Sequence, residues 1–278
     1  MQLRTHSDQI AIKPPPRGHA SANPYLQRFG EAHAGRVQCK LYLFPYAGGS
    51  AAVFRQWSGY FEAGVELTGI QLPGHGSRMM ETAETDYRVL VRDICDAILD
   101  DCGATRFAMF GHSMGALLAH YVALEMAQRG ASQPECLFLS GCKAPHLPRE
   151  RRDAARMSDA DFVDELRRLD GTPAQILDNA ELMALMLPTI KADFVLLDRW
   201  YEDLGPAPAS PALSVPIIGM SGRRDIHCTD TDIDAWQSHT HGPLETMQYS
   251  GGHFFLQSQE ARLVADIRER LEMFGRGA

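Results

Sequence analysis

The 278-residue sequence predicts an α/β fold, with a mostly parallel central sheet covered by helices on both faces and a helical segment inserted late in the sheet. Three observations carry that expectation. Short apolar runs alternate with amphipathic helical stripes along most of the chain, and a glycine-flanked serine joins one such run to a helix. One interval of more than 70 residues then breaks the alternation.

Strand-like runs fall at residues 39–44, 65–72, 106–110, 136–140, 213–220 and 245–249. Between them, Tyr87, Leu90, Val91, Ile94 and Ile98 form the stripe of a helix lying on a sheet. Leu263, Val264, Ile267, Leu271 and Phe274 repeat that spacing near the C-terminus. In the long interval, Ser158 is placed to cap a helix through Phe162, Leu166 and Leu169. Two further helices are expected over residues 179–187 and 190–201. The interval is rich in Leu and Met and lacks a strand pattern, so a helical lid over residues 145–210 is expected within one domain of residues 21–275. Residues 1–20, with Pro14, Pro15 and Pro16 in succession, read as a flexible lead-in.

Composition narrows the function classes. A formal net charge of −8 opposes general binding to nucleic acid, whose phosphates would be repelled over most of the surface. No apolar stretch approaches the roughly 18 residues of a membrane span. The N-terminus lacks the apolar core of a secretory signal, so a cytoplasmic location is the expectation, with a monomer as the default state. The six cysteines have no close metal-ligand spacing, and several lie in apolar runs that suit buried free thiols.

The sharpest motif is Gly111-His112-Ser113-Met114-Gly115, which follows the run 106–110 and precedes a good helix former over residues 116–124. Strand, Gly-x-Ser-x-Gly and helix together define a nucleophile elbow, the mark of the α/β-hydrolase fold. Glycines at 111 and 115 leave room for a strained turn that lifts the Ser113 hydroxyl clear of the sheet. The base and the orienting acid follow in the order Ser, Asp/Glu, His. Among eleven histidines, His253 stands in Gly251-Gly252-His253, just after the last strand-like run and before the final helix. His112 points away from the nucleophile's side and His120 suits helix packing. For the acid, Asp225 comes directly after the run 213–220, while Asp230 and Asp232 suit the cap of the following helix. Two N–H donors are needed for an oxyanion: Met114, directly after the nucleophile, and Ala47 in the loop Tyr46-Ala47-Gly48-Gly49.

Ordered segments along most of the chain then match a known family. They are residues 23–29 (NPYLQRF), 44–50 (FPYAGGS), 71–78 (QLPGHGSR), the elbow, 140–146 (SGCKAPH), 169–173 (LDGTP), 187–194 (LPTIKADF) and 251–256 (GGHFFL). The set resembles the type II thioesterases, editing enzymes that accompany polyketide synthases and nonribosomal peptide synthetases. The resemblance implies Ser113, Asp225 and His253 as a catalytic triad and no metal or organic cofactor. It also implies acyl, aminoacyl or short peptidyl thioesters as substrates, held on the phosphopantetheine arm of an acyl or peptidyl carrier protein. Tyr46 and the insert residues Leu182, Met183, Met186 and Leu187 are candidates for the acyl-binding wall, the latter four equally suited to sealing the insert.

The sequence departs from the family pattern in places. His75 and Gly76 stand where an arginine and an acidic residue are usual, Cys142-Lys143 replace an arginine, and Arg223-Arg224 precede Asp225. Arg78, Lys143, Arg223 and Arg224 suggest a basic collar for an acidic carrier. A product-releasing thioesterase or acyltransferase, and a carboxylester hydrolase, share the same triad and stay as alternatives; a non-enzymatic scaffold fits least.

Overall fold

The computed structural model of the chain describes residues 23–30, 37–62, 64–169, 177–204 and 213–275. The expected lead-in over residues 1–20 lies outside them, as do residues 170–173 of the family-like segments. Seven strands form one sheet: β1 (Leu26–Phe29), β2 (Cys39–Phe44), β3 (Val65–Ile70), β4 (Arg106–His112), β5 (Leu137–Ser140), β6 (Ile217–Gly222) and β7 (Leu244–Tyr249). Their order is β1-β3-β2-β4-β5-β6-β7. Every pairing is parallel except β1 with β3, which is antiparallel with Leu26 opposite Ile70. This is the mixed, mostly parallel sheet of the α/β-hydrolase fold.

The continuous apolar runs reflect burial on both faces. In β2, Cys39, Leu41 and Leu43 enter one core layer while Tyr42 and Phe44 enter the other. β4 alternates the same way, with Ala108 and Phe110 on one side and Phe107 and Met109 on the other. Helices α1 (Tyr87–Cys102) and α2 (Met114–Gln128) cover the face of Tyr42 and Met109. A 3-10 segment, Ala51–Tyr60, and the C-terminal helix α7 (Glu260–Gly275) cover the opposite face.

The insert lies between β5 and β6. It contains α3 (Asp159–Arg168) and α4 (Ala180–Leu204), followed beyond β6 by α5 (Asp230–Asp234) and, after β7, the short α6 (Phe255–Ser258). Ser158 caps α3 as expected, its hydroxyl accepting the Asp161 N–H at 3.2 Å. The two helices expected over 179–187 and 190–201 are one continuous helix that runs through Pro188. A proline removes one helical hydrogen bond and crowds the preceding turn. Packing on both sides of it holds the helix together: Met183, Leu187 and Ile190 join a cluster within the insert, while Leu196, Leu197 and Trp200 enter the main core. Asp198, buried on α4, accepts the N–H groups of Arg152 and Ala154 at 2.7 and 2.8 Å, which fastens the start of the insert to this helix.

Beyond shifts of one or two residues at other ends, two strands differ from the sequence expectation. β1 is a four-residue edge strand containing Gln27 and Arg28, too short and polar to register as an apolar run. β6 begins at Ile217; Leu213 makes only an isolated bridge with Thr240, because Pro216 interposes a residue without an N–H.

Candidate active site

The carboxyl ends of β2, β4, β6 and β7 deliver the candidate residues to one edge of the sheet. Ser113 lies between β4 and α2 with φ 54° and ψ −117°, one of two described non-glycine residues at positive φ. The flanking glycines are required by close backbone approach. A Cβ on Gly111 would strike the Gly115 carbonyl, and one on Gly115 would strike the Phe44 carbonyl of β2. Strain is thus stored at the serine and sustained by the packing of α2 against the sheet. Met114 opens α2, so its N–H has no acceptor within the helix.

Asp225 follows β6 and is fully buried at its side chain. Its Oδ1 accepts the N–H groups of His227 and Cys228 at 2.8 and 3.2 Å. Its Oδ2 lies 2.8 Å from His253 Nδ1. That contact makes Nδ1 the protonated nitrogen and leaves Nε2 as the proton acceptor. The β6 and β7 loops are locked together by Arg223 N–H to the Tyr249 carbonyl (2.9 Å) and Arg224 N–H to the Gly251 carbonyl (2.8 Å). Asp230 and Asp232 are occupied elsewhere. Asp230 accepts the Ser221 hydroxyl at 2.6 Å, and Asp232 completes a capping box with Thr229 at the start of α5.

Ser113, His253, Ala47 and Tyr46 share the wall of a cavity of about 310 Å³. The insert lines it with apolar Leu166, Leu169, Ile190, Phe194 and Leu197 and also with polar Arg149, Arg152, Asp198 and Tyr201, and Lys143 joins them. The Tyr46 ring meets Phe254 edge-on, with centroids 4.9 Å apart, and its hydroxyl accepts from Gln257 Nε2 at 3.3 Å. Leu182, Met183, Met186 and Leu187 are not among the residues lining this cavity. Met183 and Leu187 face a separate groove of the insert, and Met186 packs on the insert's own cluster. The apolar lining comes instead from α3 and from later turns of α4, at Ile190, Phe194 and Leu197, where the helix reaches the main core.

A serine–histidine contact ties the elbow to β5. His112 Nδ1 is 2.9 Å from Ser140 Oγ, and both side chains are fully buried. Burial and then the nearby His253 push the His112 pKa well down, which keeps the ring neutral. His120 is likewise buried and held neutral by burial and by His239, and it packs edge-on against Trp236 at 4.9 Å. Arg78, expected in a basic collar, is engaged locally by Glu81 and the Tyr25 ring. Arg223 and Arg224 are exposed, and Ile226 beside them is 79 % exposed at the cavity mouth.

Spacing alone did not single out four residues of this region: His75, Arg149, Asp193 and His227. For Asp193 a signal exists, since it falls on the buried stripe of α4 with Ile190 and Leu197, where an isolated carboxylate demands a partner.

A serine in a nucleophile elbow and a histidine held by a buried carboxylate, both on one cavity, define the serine hydrolases of the α/β-hydrolase class. The family model of the thioesterase domain matches residues 39–271, and the chain belongs to that family. It is a type II thioesterase. It is 33 % identical over 238 residues to the gramicidin S biosynthesis protein GrsT of Aneurinibacillus migulanus, covering 85 % of this chain and 90 % of GrsT. Thioesterase PikA5 of Streptomyces venezuelae is also 33 % identical, over 91 % of this chain and 87 % of its own. Among solved structures, the type II thioesterase BorB from the borrelidin biosynthetic cluster superposes with a TM-score of 0.78 at 29 % identity, over 91 % of this chain and all of BorB.

Proposed function

We propose that the enzyme hydrolyses acyl, aminoacyl or short peptidyl thioesters from the phosphopantetheine arm of carrier proteins, with Ser113, His253 and Asp225 as its triad. The single observation that carries the assignment is the 2.8 Å contact of Asp225 with His253, on the wall that Ser113 shares. Ser113 Oγ attacks the thioester carbonyl as His253 Nε2 takes its proton. The oxyanion is received by the N–H groups of Ala47 and Met114, and the pantetheine sulfur leaves with the proton returned by His253. Water activated by the same nitrogen then releases the acid and frees Ser113.

Three features support an editing role on an assembly line for polyketides or peptides. GrsT is named for gramicidin S biosynthesis and BorB comes from the borrelidin cluster. The cavity lining combines apolar and charged side chains, which suits chemically varied short acyl groups. Ile226, which lines the cavity, and the exposed Arg223 and Arg224 of the same loop offer apolar surface and positive charge suited to an acidic carrier. All six cysteines are free and buried, and no helix among the described residues is long and apolar enough to cross a membrane, which accords with a cytoplasmic location.

The test is a panel of carrier proteins loaded with acyl and aminoacyl groups, scored for release of free acid. Release from carriers across several short acyl groups is expected. Rapid cleavage of free esters with inert acyl-carriers would replace this reading with a carboxylester hydrolase, and transfer to an added amine or alcohol in place of water would make it an acyltransferase.

A further inference from the structure

The oxyanion loop is held from the insert. Gly49 N–H donates to the Tyr46 carbonyl at 2.8 Å, which fixes the peptide bearing the Ala47 N–H. The next peptide is fixed by Asp193 on α4, whose Oδ2 accepts the Gly48 N–H at 2.6 Å. Gly48 adopts φ +76°, and a Cβ there would come within 2.9 Å of Ile190, one turn before Asp193 on the same helix. The loop therefore lies directly against α4, at a position only glycine fills.

Asp193 is in turn held by the loop after β3. Its Oδ2 lies 2.9 Å from His75 Nε2, while His75 Nδ1 lies 2.9 Å from the Pro73 carbonyl. A carbonyl and a carboxylate are both acceptors, so both ring nitrogens must donate and the ring is an imidazolium. Burial opposes that charge, but Asp193 and the Pro73 carbonyl outweigh it and raise the His75 pKa. Both side chains are almost wholly buried, at 3 % and 2 % exposure, so neither charge is satisfied by solvent. Thr189 adds a second tie by donating to the Gly74 carbonyl at 3.0 Å.

We propose that Asp193 is a positioning residue that couples the seating of helix α4 to assembly of the oxyanion hole, with His75 as the cation that holds its carboxylate in place. When α4 is seated, Asp193 orients the Ala47–Gly48 peptide and the Ala47 N–H faces the cavity. When α4 lifts, the loop loses that anchor and the donor is no longer held. The insert thus does more than wall the cavity, since it completes the chemistry only in the seated position. This inference rests on the assignment of Ala47 as an oxyanion donor.

The experiment compares wild type with Asp193→Asn, His75→Gln and Ser113→Ala, using a small acyl-pantetheine thioester for kinetics and site-resolved amide hydrogen exchange for structure. His75→Gln keeps the Asp193 carboxylate, so it stays informative where Asp193→Asn folds poorly. Both substitutions are expected to lower kcat by about 10- to 100-fold with KM within about twofold, part of the loss seen when a direct oxyanion donor is removed. Exchange should quicken at Gly48 and Gly49 and stay unchanged in β4 and α2. A kcat within twofold of wild type in the folded variants overturns the proposal. So does a loss of kcat with Gly48 exchange unchanged, or one that tracks loosening of the whole core. Ser113→Ala separates the two readings: turnover surviving in it would break the triad assignment while leaving the exchange result at Gly48 to stand or fall by itself.

Discussion

Asp225 and His253, 28 positions apart in the chain, meet at 2.8 Å through Oδ2 and Nδ1, and the other oxygen of Asp225 is held by two backbone N–H groups of its own loop. The carboxylate is thereby oriented before any substrate arrives. Replacing it with an amide allows the opposite ring tautomer, with Nε2 protonated and unable to accept from Ser113. Asp225→Asn is expected to slow acylation by about 10⁴-fold, the loss seen for the same change in a serine protease triad. Asp232→Asn weakens the Thr229 capping box at a cost of about 1 kcal/mol in stability, with acylation nearly unchanged. Single-turnover rates for Asp225→Asn, Asp230→Asn and Asp232→Asn decide the matter: the acid assignment fails if either of the latter two is the crippling change.

Ser113 shares a cavity with His253 and Ser140 contacts His112, and a covalent probe tells the two serines apart. Ser113 opens into the cavity, whereas Ser140 and its partner His112 are fully buried. A fluorophosphonate should label Ser113, and Ser113→Ala should abolish both label and turnover. Ser140→Ala leaves the His112 Nδ1 without its hydroxyl partner, at about 1–3 kcal/mol in stability, and keeps the label. Peptide mapping of the labelled protein reads the outcome directly.

The proposed carrier contact of the exposed β6-loop arginines can be tested separately from the chemistry. Charge reversal at Arg223 and Arg224 is expected to raise KM several-fold for an acyl-carrier substrate. Cleavage of an acyl-pantetheine thioester should change little, since that substrate has no protein surface. The difference should shrink as salt rises, with a Debye length falling from about 10 Å at 0.1 M to about 3 Å at 1 M. Equal losses on both substrates would place the arginines in the structural frame of the loop, where their N–H groups already bond to Tyr249 and Gly251.

A histidine cluster outside the cavity lining is expected to contribute to acid sensitivity. His239 is 1 % exposed, its Nε2 lies 2.8 Å from His146 Nδ1, and His120 and Trp236 pack against its ring. Burial and then His146 push its pKa down to about 4. A folded-state pKa below the unfolded value of about 6.5 gives stability that is complete above the unfolded pKa and is lost as pH falls towards 4. The loss amounts to about 3 kcal/mol over that window, from about 1.4 kcal/mol per unit. Urea midpoints measured between pH 7.5 and 4.5 should fall accordingly, and His239→Gln should flatten the slope. An unchanged slope in that variant assigns the acid sensitivity to other groups.

The sequence by itself determined the features whose physics is local. The strand, serine turn and helix around Ser113 need only contiguous residues and two glycines, and the alternation of β2 and β4 follows from period two. The cap at Ser158 is equally local, since it joins residues three apart. The tertiary structure decided what distant segments do to one another. Position along the chain favoured Asp225 over Asp230 and Asp232, but only the packing of the β6 loop on the β7 loop sets Asp225 against His253 and gives the other two to Ser221 and Thr229. Leu182, Met183, Met186 and Leu187 have the composition of an acyl wall, yet the turn that reaches the cavity depends on how α4 crosses the sheet. β1 exists because Leu26–Phe29 finds the open edge of β3, a pairing that propensity over four residues cannot announce. The imidazolium of His75 is the clearest case, because the same ring would be neutral in isolation and is charged only where a carboxylate 118 positions away and a carbonyl two positions back both require a proton from it.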